Sequence, residues 1–378
     1  MKTFKKALAL SLTLSTLPLT ATTQASDMIV RQYQNARMMG MGGLKLTTGL
    51  YDENFTGNPA RVTANPSWRL TLAEVTSEVG NGVIDNATTI AESASGGTEG
   101  LLEGLSDTVG TPNYLRFGTT LLGLYVPMEN WSWAFGVQQF ATADINVRSN
   151  YQFTSRVIAD AGASFTLGRK FMENKELSIG ATVHAKYRVS TSEELNEGFG
   201  LIDYIKGEEL SLQDAGGEGG QIDFDLGATY ILPFHPWDLQ VQTAATINNL
   251  LGGTYQQFSV DALGTGATPI AQPRTLGAGI AVTKPELWKF KGTTVAFEVS
   301  DIGNNANASP FRWVHLGAET NLSVIALRAG LNQGYWTAGL GLDLKLLRLD
   351  YASYGEEVGL VMGTQENRVH AIRFAMGW

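Results

Sequence analysis

From residue 67 onward the chain reads as strand after strand, with large apolar side chains at alternate positions within each. That is the period of a β-strand with one apolar and one polar face. The stretch 177–190 shows it most plainly. Ile179, Ala181, Val183, Ala185, Tyr187 and Val189 fall on one side; Ser178, Gly180, Thr182, His184, Lys186, Arg188 and Ser190 fall on the other. The same alternation sets Ile222, Phe224 and Leu226 against Asp223 and Asp225, and Val295, Phe297 and Val299 against Glu298 and Ser300. It sets Ile325 and Leu327 against Arg328, and Trp336, Ala338, Leu340 and Leu342 against Asp343. At the C-terminus, Ile372, Phe374, Met376 and Trp378 alternate with Ala371, Arg373, Ala375 and Gly377. Fourteen strands are predicted: 67–75, 114–127, 131–143, 156–167, 177–190, 221–232, 239–250, 274–283, 293–300, 312–320, 322–331, 335–343, 346–354 and 368–378. Twelve is the alternative count. Connections after odd-numbered strands are mostly long and those after even-numbered strands short, with the tight Asn332-Gln333-Gly334 turn as the exception.

A soluble sandwich alternates in the same way, and composition separates the two readings. The 378 residues are 43% hydrophobic and only 17% charged, with 43 Gly, 16 Phe, 12 Tyr and 8 Trp. Such a chain suits short strands, tight turns and aromatic girdles. Lys2, Lys5 and Lys6 precede an apolar run from Ala7 to Leu19 and small residues up to Ala25, the pattern of a secretory signal peptide over residues 1–25. Its removal takes 27 Lys and Arg to 24 against 36 Asp and Glu, leaving a mature charge of −12. That balance argues against a nucleic-acid partner. No later apolar stretch reaches the ~18 residues of a membrane helix. A secreted chain without such a helix spans a membrane only as a closed barrel, which pairs every backbone amide. The reading is all-β: a transmembrane antiparallel β-barrel of about 14 strands at residues 67–378, in the bacterial cell outer membrane. A charge facing lipid at mid-bilayer costs ~2–4 kcal/mol, so the polar face is the lumen. This places His184, Lys186, Arg188, Glu298, His315, Glu319, Arg328, Asp343 and Arg373 inside. With both signs represented, the bore reads as plugged; a selective pore carries a ring of one sign.

Residues 26–66 do not alternate. Ala36 to Gly43 (ARMMGMGG) holds three Met and three Gly, and Phe55-Thr56-Gly57-Asn58-Pro59-Ala60 follows. Met and Gly suit irregular packing inside something larger, and Pro59 holds Asn58 extended in a turn.

The Asn35-Ala36-Arg37 start, Met39 to Gly43, and the later Asn58-Pro59-Ala60 resemble the FadL family of outer-membrane transporters and its TraF-like and PorV-like relatives. Leu316 to Glu319, Ala326 to Gly330 and Thr337 to Gly341 are similar to the late strands of the latter two branches. The resemblance implies an N-terminal hatch at residues 26–66 inside a fourteen-stranded barrel that passes hydrophobic small molecules, fatty-acid-like or aromatic. Met38, Met39, Gly40, Met41, Gly42, Gly43, Asn58, Pro59 and Ala60 are then the hatch and ligand-path candidates. The PorV-like branch implies instead a structural or secretion-accessory barrel with protein partners, and a general porin is a third reading. The last strand resembles the closing strand of such barrels, so Ile372, Phe374, Met376 and Trp378 form an assembly signal for the barrel-assembly machinery. Outer-membrane lipid and lipopolysaccharide are the surrounding partners. Two outside loops, 83–109 with its Gly100 to Leu105 run and the acidic 191–220, are candidates for substrate docking or for facing lipopolysaccharide.

Chemistry finds little support. No Cys is present, which removes thiol catalysis, Cys-based zinc sites and disulfides. No metal-ligand spacing or G-x-S-x-G element occurs, and the glycine runs at 277–281 and 339–343 lie inside strands, where Gly marks close packing. His184, His235, His315 and His370 read as lumen or rim residues. No cofactor and no enzymatic activity are expected.

Overall fold

The computed structural model describes residues 33–88, 109–147, 152–191, 199–200, 216–256, 268–303, 310–358 and 362–378. The expected signal peptide, the Gly100 to Leu105 run and most of the acidic loop lie outside them. Fourteen strands form the wall: β1 Arg69–Gly80, β2 Pro112–Pro127, β3 Trp131–Val147, β4 Gln152–Phe171, β5 Leu177–Thr191, β6 Gly216–Ile231, β7 Gln240–Asn248, β8 Thr275–Leu287, β9 Phe290–Val299, β10 Val314–Leu322, β11 Ile325–Asn332, β12 Tyr335–Asp343, β13 Leu347–Glu357 and β14 Glu366–Gly377. A two-residue strand, Phe199–Gly200, pairs with the start of β4. Each wall strand pairs antiparallel with its chain neighbour, and β14 pairs with β1, so the sheet closes without an edge. Closure is completed by the exchange of Leu70 and Trp378 backbone bonds at 2.9 Å. Among the described residues no helix is long and apolar enough to cross a membrane.

The faces divide as the alternation requires. Ile222, Phe224 and Leu226 are 61%, 40% and 41% exposed, whereas Asp223 and Asp225 are each 1% exposed. On β14, Ile372, Phe374, Met376 and Trp378 point outward and Ala371, Arg373 and Ala375 inward. Trp68, Trp131, Trp237, Trp288 and Trp378 all lie exposed near the short-turn end, where an interfacial aromatic girdle belongs.

Two expected connections are corrected. The gap drawn at 144–155 shrinks to residues 148–151, because β3 runs on to Val147 and β4 begins at Gln152. Cross-strand pairs such as Asp144 with Arg156 and Ile145 with Ser155 continue the ladder past the expected ends of both strands. β1 likewise continues to Gly80, where the short helix α1 Asn81–Asp85 begins. The exceptional tight turn is real: β11 and β12 are joined by Gln333 and Gly334 alone, both with positive φ (53° and 88°), the backbone of a two-residue hairpin.

Residues 33–65 pack on the bore side of the wall and are almost wholly buried. This segment holds a one-turn helix, Ala36–Gly40, whose cap Asn35 accepts from the Met38 N–H at 3.1 Å. Two 3₁₀ turns follow, Tyr51–Phe55 and Pro59–Ala64. Asn58 is extended, as Pro59 demands, and its side chain accepts from the Ala60 N–H at 3.0 Å. Inward-facing glycines let the segment touch the wall backbone. A Cβ on Gly227 would lie 2.0 Å from Asn58 Oδ1, and one on Gly339 would lie 3.0 Å from Gly40 Cα.

Candidate functional site

A carboxylate and an ionic chain fasten the internal segment to the wall. Glu298 on β9 is 1% exposed. Its two oxygens accept from the backbone N–H groups of Lys45 (2.8 Å), Leu46 (3.0 Å) and Thr47 (2.7 Å), and from Thr47 Oγ1 (2.7 Å). Four donors on one buried carboxylate make a strong charge-assisted anchor. Arg37 reaches across the segment instead. Its guanidinium grips Glu319 of β10 bidentately at 2.7 and 2.9 Å and Glu53 at 2.5 Å. Burial works against its charge, but Glu319 and Glu53 outweigh burial and raise the Arg37 pKa. Arg61 has only neutral acceptors, Gln242 Oε1 at 3.0 Å and the Gly49 carbonyl at 3.3 Å. Burial, reinforced by Arg37, lowers its pKa to about 10.

From Glu319 the chain continues around the wall. Arg328 donates to Glu319 (2.6 Å) and Asp350 (2.7 Å); Arg373 donates to Asp350 (3.3 Å), to Glu74 of β1 (2.6 Å) and back to Asp52 of the segment (2.6 Å). Three arginines thus bind five carboxylates between segment and wall. Of the expected lumen charges, Glu319, Arg328 and Arg373 meet here. Asp350 of β13 is the middle link, held by Arg328 on one side and Arg373 on the other. Asp343 sits apart, at the short-turn end of β12, half exposed and 3.2 Å from Arg348.

The Met and Gly candidates serve packing. Met38, Met39 and Met41 are at most 1% exposed. Met39 lies in a buried cluster with Tyr114, Tyr354 and Val369, and Met41 in another with Leu44, Ala281 and Ala296. Gly42 has φ +74°, and a Cβ there would stand 2.4 Å from the Leu316 carbonyl oxygen; Gly43 lies against His315, whose Nδ1 is 2.8 Å from the Gly42 carbonyl. Asn58, Pro59 and Ala60 press on the wall at Gly180 and Gly227.

Toward the long-loop end, the segment and wall enclose a cavity of about 110 Å³. The segment contributes Tyr33 and Thr56 to it; none of the Met, Gly or Asn58 to Ala60 candidates lines it. Tyr33 stacks on Phe140 with ring centroids 4.1 Å apart. Around this aromatic pair stand Arg116, Arg156, Lys186 and Arg188, faced by Asp144, Asp160 and Glu356. Arg188 is engaged bidentately by Asp160 at 2.7 Å. Outside the wall, a mostly apolar groove is bounded by Phe117, Ala141, Ala159, Tyr187 and Val189. Cavity and groove share Phe140, Asp160 and Ala161, so they lie on opposite sides of the same stretch of β3 and β4.

One constellation was not foreseen. His184 Nδ1 lies 2.8 Å from Ser164 Oγ, and its Nε2 lies 2.9 Å from Asp225 Oδ2. Ser164 and His184 are directly opposite on β4 and β5, a pairing that only the register reveals. Asp225 also accepts from Asn248 Nδ2 (3.1 Å) and the Asn249 N–H (2.7 Å). A nucleophile further needs donors for the developing oxyanion. The strands on either side of Ser164 are fully laddered through residues 156–169, which occupies the backbone amides that would serve. Ser164 also reaches Gln138 Oε1 at 3.3 Å. The arrangement is a buried polar network joining five strands, β3 to β7. His370, on the outer face, contacts Tyr351 (2.8 Å) and Asn81 (3.1 Å), and His235 lies in the Leu232 to Leu239 turn.

No protein-family model matches the chain, and no curated protein matches it in sequence. Solved structures do. The CymD monoaromatic hydrocarbon channel superposes with a TM-score of 0.51 at 14% identity, covering 91% of this chain and 97% of that one. The Pseudomonas putida toluene transporter TodX gives 0.49 at 12% identity over 94% and 99% of the two chains. The Ralstonia pickettii toluene transporter TbuX gives 0.45 at 13% over 91% and 98%. The chain has the outer-membrane barrel fold of the CymD channel, and the FadL-like resemblance holds at the level of fold.

Proposed function

We propose that this chain is an outer-membrane channel for hydrophobic small molecules, with residues 26–66 as its hatch. The observation that carries the reading is the cavity beside the aromatic pair Tyr33 and Phe140, backed through Phe140, Asp160 and Ala161 by an apolar groove on the lipid side. A molecule entering from the long-loop end meets the internal segment, which closes the bore below it. Parting of the β3–β4 ladder beside Ala161 then gives an apolar ligand the shorter exit, into the membrane rather than through the plug. The fold shared with a channel named for monoaromatic hydrocarbons agrees with a ligand of that size. Its partners on this reading are the hydrophobic ligand, outer-membrane lipid and lipopolysaccharide, and the barrel-assembly machinery that reads the strand ending in Trp378.

Uptake decides the matter. Cells carrying the chain are expected to accumulate labelled toluene faster than a deletion strain. Ala161→Trp, which fills the wall between cavity and groove, should lower that uptake several-fold while the barrel still folds, as judged by heat-modifiable mobility in gels. Equal uptake by deletion and parent strains across aromatic and fatty-acid-like compounds would refute the proposal.

A further inference from the structure

The cavity is more charged than a neutral hydrocarbon requires. A site for toluene alone needs apolar walls and a few polar groups that fix orientation. Here four cationic side chains surround one stacked aromatic pair, and two of them, Lys186 and Arg116, are less tightly engaged by the protein than Arg188. Lys186 lines the cavity from β5, partly buried; it makes no hydrogen bond or close ion pair among the described residues, and Asp225, Asp160 and Asp223 act on its charge from farther off. Arg116 is 5% exposed, and its Nη1 has no hydrogen-bond partner, with Glu78 no closer than 3.6 Å. Arg188, by contrast, is satisfied by Asp160, the Ile270 carbonyl and Gln272. Leaving a buried cationic donor without an acceptor is costly, and an anionic guest relieves that cost.

Size narrows the guest. A volume of about 110 Å³ compares with the roughly 150 Å³ of an engineered cavity that admits benzene. A single ring, beside Tyr33 and Phe140 in the stacked or edge-on geometry that aromatic groups prefer, is the guest nearest that size. Gly162, opposite Lys186 in the ladder, lets the β4 and β5 backbones close up there: a Cβ would stand 2.3 Å from the Ala185 carbonyl oxygen.

Resting on the transport reading, we propose that the cavity is a binding site for a single-ring aromatic carboxylate. The ring packs against Tyr33 and Phe140, and the carboxylate pairs with Lys186. A neutral hydrocarbon of the same size binds the aromatic pair alone and more weakly.

Titration calorimetry on the purified full chain in detergent tests this with three probes: benzoate, toluene and decanoate below its micellar concentration. Benzoate is expected to bind tightest. Lys186→Met should weaken benzoate on the order of tenfold or more, the effect of removing a charge-assisted contact, and leave toluene unchanged. Lys186→Arg should retain benzoate binding, and added salt should weaken benzoate but not toluene. Far-UV circular dichroism and heat-modifiable mobility establish that each variant is folded. Toluene binding without benzoate binding, or benzoate binding indifferent to Lys186→Met, overturns the carboxylate site and leaves the channel reading standing. Tighter binding of decanoate than benzoate overturns the single-ring assignment. Binding of none of the three overturns both.

Discussion

Substituting Glu298 isolates what holds the internal segment in place. The carboxylate is the single acceptor for three consecutive backbone amides, Lys45 to Thr47, and for the Thr47 hydroxyl, with all four distances between 2.7 and 3.0 Å. A hydrogen bond to a charged group contributes about 1.5–3 kcal/mol net, so four, taken at the low end because neighbouring bonds are not additive, give about 6 kcal/mol. Glu298→Ala leaves room for water beside the freed amides, which recovers part of this; half, about 3 kcal/mol, is the expected loss in local stability. At about 1.4 kcal/mol per factor of ten, that is roughly a hundredfold rise in the opening equilibrium. Hydrogen exchange read by mass spectrometry, in detergent or nanodiscs, should therefore show the 45–47 amides exchanging roughly a hundredfold faster. Amides in the β9–β10 ladder beside Glu298 should keep their protection, because their partners are strand carbonyls. Glu298→Gln should fall between, since it keeps one acceptor oxygen but turns a donor toward donors. The substituted barrel should also conduct more in planar bilayers. Unchanged exchange at 45–47 would show that the segment is held elsewhere and that Glu298 does not anchor it.

Three further outcomes follow from the same geometry. Arg37→Gln strips buried Glu53 and Glu319 of a shared cation and should cost ~3–5 kcal/mol, whereas Arg61→Gln loses only neutral acceptors and should cost about 1 kcal/mol or less; the temperature at which heat-modifiable mobility is lost ranks the two. Gly42→Ala places a Cβ 2.4 Å from the Leu316 oxygen at a φ of +74°, so the segment should detach locally and expose residues 36–43 to limited proteolysis that the parent resists. Removing Trp378 deletes the side chain of the expected assembly signal and both backbone bonds to Leu70; the amount of folded barrel in isolated outer membranes should fall several-fold, and an unchanged amount would deny the residue that role.

Much of this molecule is decided locally. A strand's side chains alternate whatever it pairs with, so Ile372, Phe374 and Met376 had to face away from Arg373 once the segment became extended. Lipid on one side and charge on the other then leaves a single way round. Strand number, the closing role of the last strand and the tight Gln333-Gly334 turn all follow from that one-dimensional pattern. Asn58 had to be extended before Pro59, and the buried Met-Gly stretch could not be wall. What the pattern could not carry was pairing across the bore. Glu298 meets Lys45 to Thr47 some 250 positions away, and Arg37 meets Glu319 across a similar distance, so no local spacing announces either contact. Ser164 faces His184 only because β4 and β5 pair in one register; a slip by one residue would have turned either side chain to lipid. The same holds for the cavity. Tyr33, Phe140 and Lys186 are unremarkable in their own stretches of sequence, and they share a volume only because the closed barrel and its internal segment fix their positions in three dimensions.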